Sequence, residues 1–140
     1  MATKALVLGV TAALVAGLAA DMVLVQPKDL AAQLAAKGPK PAIVHVGPNF
    51  LYRGKHIPGS IYAGPGFDAL KQAVDKLPRD GEIVVYCGCC PWSHCPNVKP
   101  ALEYLRQMGF THAKAMYVET SFATDWTDKG YPVEAGTPRR

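Results

Sequence analysis

Four apolar residues, Ile83-Val84-Val85-Tyr86, run into a cysteine-rich loop and then into a helical pattern, and this stretch constrains the fold more than any other. The run is mostly β-branched and ends abruptly, which reads as a buried strand. Beyond the loop, Val98, Leu102 and Leu105 recur at helical spacing, with Ala101 and Met108 beside them. Between the two lie all the cysteines of the chain: Cys87, Cys89, Cys90 and Cys95. A strand feeding a loop that opens a helix sets the first loop residue at the carboxyl edge of a sheet, where open α/β sheets place their ligands. The following helix turns its unpaired N–H groups and positive dipole end toward the loop. Such donors favour a thiolate, so Cys87 is the candidate nucleophile.

The rest of the composition sets bounds. With 140 residues, 49% of them hydrophobic, the chain suits one domain with a substantial core. The net charge of +4 is modest, and apart from Arg139-Arg140 the basic residues are scattered, so no nucleic-acid surface is expected.

The N-terminus has a different character. A short positive start, Met1-Ala2-Thr3-Lys4, precedes an uncharged run of Ala, Leu, Val and Gly from Ala5 to Ala20. It ends in small residues before Asp21, as a secretory signal does, and it is short for a membrane span of about 20 apolar residues. Residues 1–20 are therefore expected to be a signal peptide and residues 21–140 a single domain. Cleavage after Ala20 or after Ala19 would suit a signal peptidase. Export implies a periplasmic or secreted protein, in a compartment where disulfides persist, with no membrane association in its mature form. A buried strand and helix, or an uncleaved anchor, is the alternative reading of the same run.

Along the mature chain, strands are expected at Met22 to Val25, Ala42 to Val46, Ile61-Tyr62 and Ala113 to Val118, besides the central run. Pro27 opens a helix whose apolar face is Leu30, Ala31, Leu34 and Ala35, and Gly38-Pro39 ends it. Gly47 to Lys55 reads as a loop or short helix. A second amphipathic helix runs from Phe67 to Leu77, with Phe67, Leu70, Val74 and Leu77 inward. Pro78-Arg79-Asp80-Gly81 turns into the central strand. Gly109 is placed to cap the helix after the loop, and a short helical piece surrounds Ala123, Asp125 and Trp126. Strands alternating with helices indicate an α/β fold with a mainly parallel sheet covered on both faces.

At His56-Ile57-Pro58-Gly59-Ser60 the chain resembles the rhodanese family, whose domains carry a His-Ile-Pro-Gly-Ala-like motif before a short strand. The family's catalytic cysteine follows a later Val-Val-Tyr-Cys strand, matched here by Val84-Val85-Tyr86-Cys87. Tyr52, four residues before His56, and the Leu-x-x-x-Gly-Phe pattern from Leu105 to Phe110 extend the match. The resemblance covers Val23 to Glu134 and implies a rhodanese-like three-layer fold and a sulfurtransferase that loads sulfane sulfur on Cys87 as a persulfide. Its partners would be a small sulfur-containing substrate or a thiol or persulfide protein. No resident cofactor or metal is implied, and a monomer is expected.

Two segments depart from the family. Where rhodanese domains carry Asp-Val-Arg, this chain has His45-Val46-Gly47. The family's loop is a short glycine-rich cradle of amides ending in Arg-Ser. Here Gly88 to Pro96 is longer, contains two prolines that donate nothing, and lacks the arginine, so a weaker hold on thiosulfate is expected. Within it Trp92 is expected to cover the loop, and His94 to be a surface residue, with donation to a thiolate or ligation of a metal as the alternative reading. Asn97 is expected to cap the next helix, with Pro100 tolerated in its first turn. His56 and His45 are expected to be structural.

Three functions from different classes are open. One is sulfur transfer through a Cys87 persulfide. Another is thiol redox chemistry cycling a disulfide in the loop. The third is a soft-metal module using the cysteines and His94, with copper(I) favoured over zinc, which usually takes ligand pairs from separate parts of a chain. Sulfur transfer is the leading expectation and thiol redox the second. Of the possible disulfides, one from Cys95 to Cys90 or Cys89 would clamp the long loop and leave Cys87 free.

Overall fold

The computed structural model describes residues 22–137. The expected signal segment and Arg139-Arg140 lie outside the described residues. In chain order the elements are β1 (Leu24–Val25), α1 (Pro27–Ala35), β2 (Ala42–His45), α2 (Asn49–Gly54), β3 (Ile61–Tyr62), α3 (Phe67–Val74), β4 (Ile83–Tyr86), α4 (Val98–Gln107), β5 (Ala113–Met116) and α5 (Phe122–Asp125). Short 3-10 turns at Trp92–His94 and Thr127–Lys129 precede α4 and follow α5.

The sheet has the order β1-β5-β4-β2-β3, and every pairing is parallel. The expected three-layer α/β fold is therefore present. β4 lies at the centre because it can be buried on both faces: all four of its residues are sequestered from solvent. Ile83 and Val85 enter a core with Leu70 and Val74 of α3 and Ala101, Leu102 and Leu105 of α4. Val84 and Tyr86 point the other way, into a core with Leu30 of α1, Phe122 and Trp126. Each fully buried aliphatic side chain stabilises the fold by about 1.5–3 kcal/mol, so the short strand anchors both layers.

Register brings the site together. Ala42 lies opposite Ile83, and His45 lies opposite Tyr86, so the carboxyl ends of β2 and β4 are level. Beyond them the Val46 N–H still donates to the Tyr86 carbonyl, at 2.9 Å. Gly47 and Cys87 consequently emerge side by side at the sheet edge.

Helix boundaries follow local chemistry. Pro27 begins α1 without needing a donor. α4 ends as expected at Gly109, whose φ of 91° admits the left-handed turn. There the Phe110 N–H donates to the Leu105 carbonyl at 3.0 Å. α3 is shorter than expected, ending at Val74 rather than Leu77. Leu77 precedes Pro78, a position that disfavours helical backbone, and its N–H closes only a turn to the Val74 carbonyl. Phe67, expected inward, is half exposed and packs on the Tyr104 ring at 4.7 Å. Among the described residues, no helix is long and apolar enough to cross a membrane.

Candidate active site

Cys87 leaves the end of β4 buried beneath its own loop, and Cys95 is buried beside it. Cys89 is exposed and Cys90 half-buried, and all four are free thiols. The expected bridge from Cys95 is thus not formed in this structure. The sulfurs of Cys87, Cys89 and Cys95 lie within 4.8 Å of one another. Cys89 Sγ sits 3.1 Å from Cys87 Sγ, 2.8 Å from Cys90 Sγ and 3.9 Å from Cys95 Sγ. Three thiols so close are also the donor set that a soft metal ion would need.

The loop's path decides which thiol is ionised. The backbone folds into the 3-10 turn at Trp92–His94 and then brings Cys95 under the start of α4. The Cys95 sulfur accepts the backbone N–H groups of Asn97 and Val98, at that helix terminus. Its pKa is pulled down to about 5, first by the hydrogen bond from the Cys87 thiol and then, against the effect of burial, by those two N–H groups. Cys87 moves the other way. Its donation to Cys95, its burial and its contact with Cys89 hold its pKa well above the ordinary thiol range, although the Cys89 N–H partly offsets them. Cys90 is pushed up to about 12 by burial and by its neighbours Cys89 and Cys95. The expectation that the helix donors serve Cys87 is corrected here: they serve Cys95. Cys95 is thus the thiol favoured as a thiolate, and Cys87 the one favoured as a thiol.

The other expected site residues divide. The Trp92 backbone N–H donates to the Val118 carbonyl at 2.7 Å, and its half-buried side chain packs against the core cluster that includes Cys87 and Cys95. The Lys99 ammonium lies 5.2 Å from that ring's centre. His94 is exposed, paired through Nδ1 with Ser93 Oγ at 2.8 Å, and is absent from the sulfur cluster. Asn97 is not a side-chain cap. Its backbone is already helical, and its Nδ2 instead lies 3.8 Å from Cys87 Sγ.

Two residues shape the site from β2: Gly47, which the sequence did not single out, and His45, expected to be structural. A Cβ built on Gly47 would stand 2.5 Å from Cys87 Sγ, so only glycine leaves room for the sulfur. His45 is fully buried, and its Nδ1 accepts the Gly47 N–H at 3.2 Å. Its pKa is lowered to about 4, chiefly by burial and secondarily by the charge of His56, so the ring is neutral at ordinary pH. The proton then resides on Nε2, which has no hydrogen-bond partner among the described residues. That atom lies 3.8 Å from the Cβ position of Gly88, directly below the first turn of the cysteine loop. The sequence signal for both was their place at the end of the strand that pairs with β4.

His56 is structural, as expected. Nδ1 faces the Tyr52 carbonyl at 2.7 Å, Nε2 faces the Glu134 carboxylate at 3.0 Å, and the ring stacks on Tyr52 at 3.7 Å. Clefts flank the cysteine loop. One, of about 370 Å³, runs between Leu51, Gly88, Phe122 and Thr127, and the other, of about 250 Å³, between Val46, Phe67, Pro96 and Asn97. A larger cavity of about 700 Å³ lies against α1 and Trp126, lined by no cysteine.

Comparison with known proteins decides the family. A family model described as the rhodanese-like domain matches residues 26–126. The chain belongs to the rhodanese-like domain family. No curated protein matches it. Among solved structures, the BH2092 protein of Bacillus halodurans is 22% identical with a TM-score of 0.66, over 81% of this chain and 77% of that one. The rhodanese-like domain of the Alr3790 protein of Anabaena sp. is 24% identical with a TM-score of 0.62, over 80% and 78%. A rhodanese-like domain protein of Staphylococcus aureus is 19% identical with a TM-score of 0.58, over 83% of this chain and all of its own. At these identities the likeness is one of fold. Within this rhodanese-like frame Cys87 directly follows β4 and opens the thiol-rich loop that leads to α4.

Proposed function

We propose that the chain is a sulfurtransferase that carries sulfane sulfur as a persulfide on Cys87. The observation that carries this reading is the Cys87–Cys95 pair: a nucleophile at the sheet edge of a rhodanese-like fold, with a thiolate beside it to take its proton. The Cys87 sulfur attacks the terminal sulfane sulfur of a donor and passes its proton to Cys95. The donor's S–S bond breaks, its remainder leaves with the bonding pair, and the added sulfur remains on Cys87. The packed Trp92 side chain and the buried position of Cys87 keep water from the new persulfide.

Donor choice follows from charge. The loop offers no arginine, and its two helix-terminal N–H groups are already engaged by Cys95. A dianion such as thiosulfate therefore finds little grip, and polysulfide or a protein persulfide is the preferred donor. Acid-quenched samples taken soon after mixing with polysulfide should carry one extra sulfur on the Cys87 peptide, removable by cyanide as thiocyanate. Absence of sulfur uptake from polysulfide, persulfide and thiosulfate alike would overturn the function. Saturable turnover of thiosulfate at low concentration would overturn the donor preference.

The positive start and the apolar run at residues 5–20 support export of the domain as a further part of this reading. N-terminal sequencing of protein from the periplasm or medium should begin near Asp21; finding Met1 on most of it would contradict export.

A further inference from the structure

The carrier reading uses Cys87 and needs only a proton acceptor beside it, yet the loop buries a second thiol within reach of the first. Cys95 and Cys87 are both buried, 6% and 2% exposed, so a sulfur loaded on Cys87 meets the loop's own thiols before any large external acceptor. The sulfurs within reach of Cys95 are those of Cys87, within 4.8 Å, and Cys89, at 3.9 Å. Cys89, by contrast, is exposed and free to meet solvent or a partner. The hydrogen bonds from the Asn97 and Val98 N–H groups hold the Cys95 sulfur at the start of α4. A buried sulfur nucleophile so placed faces whatever Cys87 carries.

Resting on the carrier reading above, we propose that Cys95 resolves the Cys87 persulfide, so that the protein reduces sulfane sulfur to sulfide and closes a Cys87–Cys95 disulfide. The step balances without any other oxidant. After loading, the proton that Cys95 received returns to the outer sulfur, giving Cys87–S–SH beside the Cys95 thiolate. Cys95 Sγ attacks Cys87 Sγ, the S–S bond to the outer sulfur breaks, and that sulfur leaves with the bonding pair as hydrosulfide. The sulfane sulfur is reduced by two electrons, and the two cysteines are oxidised to one disulfide. A dithiol reductant, small or protein-borne, then reopens the bridge and restores both thiols. The ring closed by Cys87 and Cys95 spans the whole loop, with Cys89 and Cys90 inside it as free thiols.

The test uses fully reduced full-length protein without oxygen or added thiol. It is mixed with one equivalent of a thiosulfonate monoanion, whose own leaving group is a sulfinate and not sulfide. Wild type should release nearly one sulfide per chain and end two hydrogens lighter, with peptide mapping placing the bridge between Cys87 and Cys95. Cys95→Ser and Cys95→Ala should release the sulfinate more slowly than wild type for want of the Cys95 base, hold each sulfur they load on Cys87 in cyanide-removable form, and lose sulfide release per sulfur loaded. Wild type that retains the persulfide, a bridge mapped to Cys87–Cys89, or undiminished sulfide per sulfur loaded from the Cys95 variants would each overturn the proposal while leaving the carrier reading intact. Failure of every form to release sulfinate would remove the carrier reading and this proposal with it. Should the Cys95 variants not fold, the sulfide yield and mapped bridge of wild type decide the matter.

Discussion

The carboxyl edge of the sheet holds two neighbouring clusters built on opposite principles. On the β2–β3 side, polar rings are locked by directional bonds. Tyr52 Oη donates to the Ser60 carbonyl at 2.8 Å, Tyr86 Oη accepts the Ile57 N–H at 3.0 Å, and His56 meets an oxygen at each nitrogen. On the β4–α4 side, the thiols of Cys87, Cys89, Cys90 and Cys95 bond largely to one another and can exchange partners. Buried polar groups with full sets of partners rigidify a fold, whereas sulfur contacts are weak and easily remade. The lesson is a division of labour: the ring cluster fixes where Cys87 emerges, and the thiol cluster is left able to react. His45 joins them, edge-on to both Tyr52 and Tyr86 with its Nε2 beneath Gly88.

Breaking the ring cluster should therefore damage stability most. Tyr52→Ala removes the stack on His56, the edge contact to His45 and the bond to Ser60, and should cost about 3–5 kcal/mol by the scale of large aromatic truncations. Chemical denaturation reads this directly, and a loss below about 1 kcal/mol would show that the ring cluster is not the scaffold.

The next effect is a pH dependence carried by His45. Its pKa falls from an ordinary 6.5 to about 4 on folding. Between those values the unfolded chain takes a proton that the folded chain refuses. His45 therefore contributes no penalty above pH 6.5, and stability declines as pH falls toward about 4, by a total on the order of 3 kcal/mol. His45→Asn, whose side-chain oxygen can still accept the Gly47 N–H, should flatten that part of the pH–stability curve. An unchanged slope in the variant would assign the acid sensitivity to other groups.

Gly47→Ala probes the boundary between the clusters. Its methyl group would collide with Cys87 Sγ, and the sulfur must move. Sulfur loading should slow by about 10–100-fold, the usual consequence of a displacement near 1 Å in a reacting group. The melting temperature should change much less than in Tyr52→Ala. Normal loading in Gly47→Ala would mean that the position of Cys87 is not set by β2.

Much of the fold was legible because it rests on local patterns. The four-residue apolar run of β4, Pro27 at the start of α1, Gly109 after α4 and the segment around His56 each state their structure within a few residues. The electrostatics of the site were not legible, because they depend on the loop's path. Spacing alone directed the α4 donors to the first cysteine, but the 3-10 turn at Trp92–His94 carries the chain round so that Cys95 receives them. Asn97 looked like a cap from its place before Val98; its helical backbone turns the side chain toward Cys87 instead. Gly47 and His45 acquire their roles only through the register of β2 with β4, which sequence spacing does not state.

The claim at the centre is that Cys87 is the sulfur that attacks the donor. Release of the donor's leaving group in a single turnover measures this step whatever later becomes of the persulfide. Cys87→Ser should fold as wild type does and release none, whereas Cys90→Ser should still release it. Release that persists in Cys87→Ser and disappears in Cys90→Ser or Cys95→Ser would move the nucleophile along the loop and contradict the account.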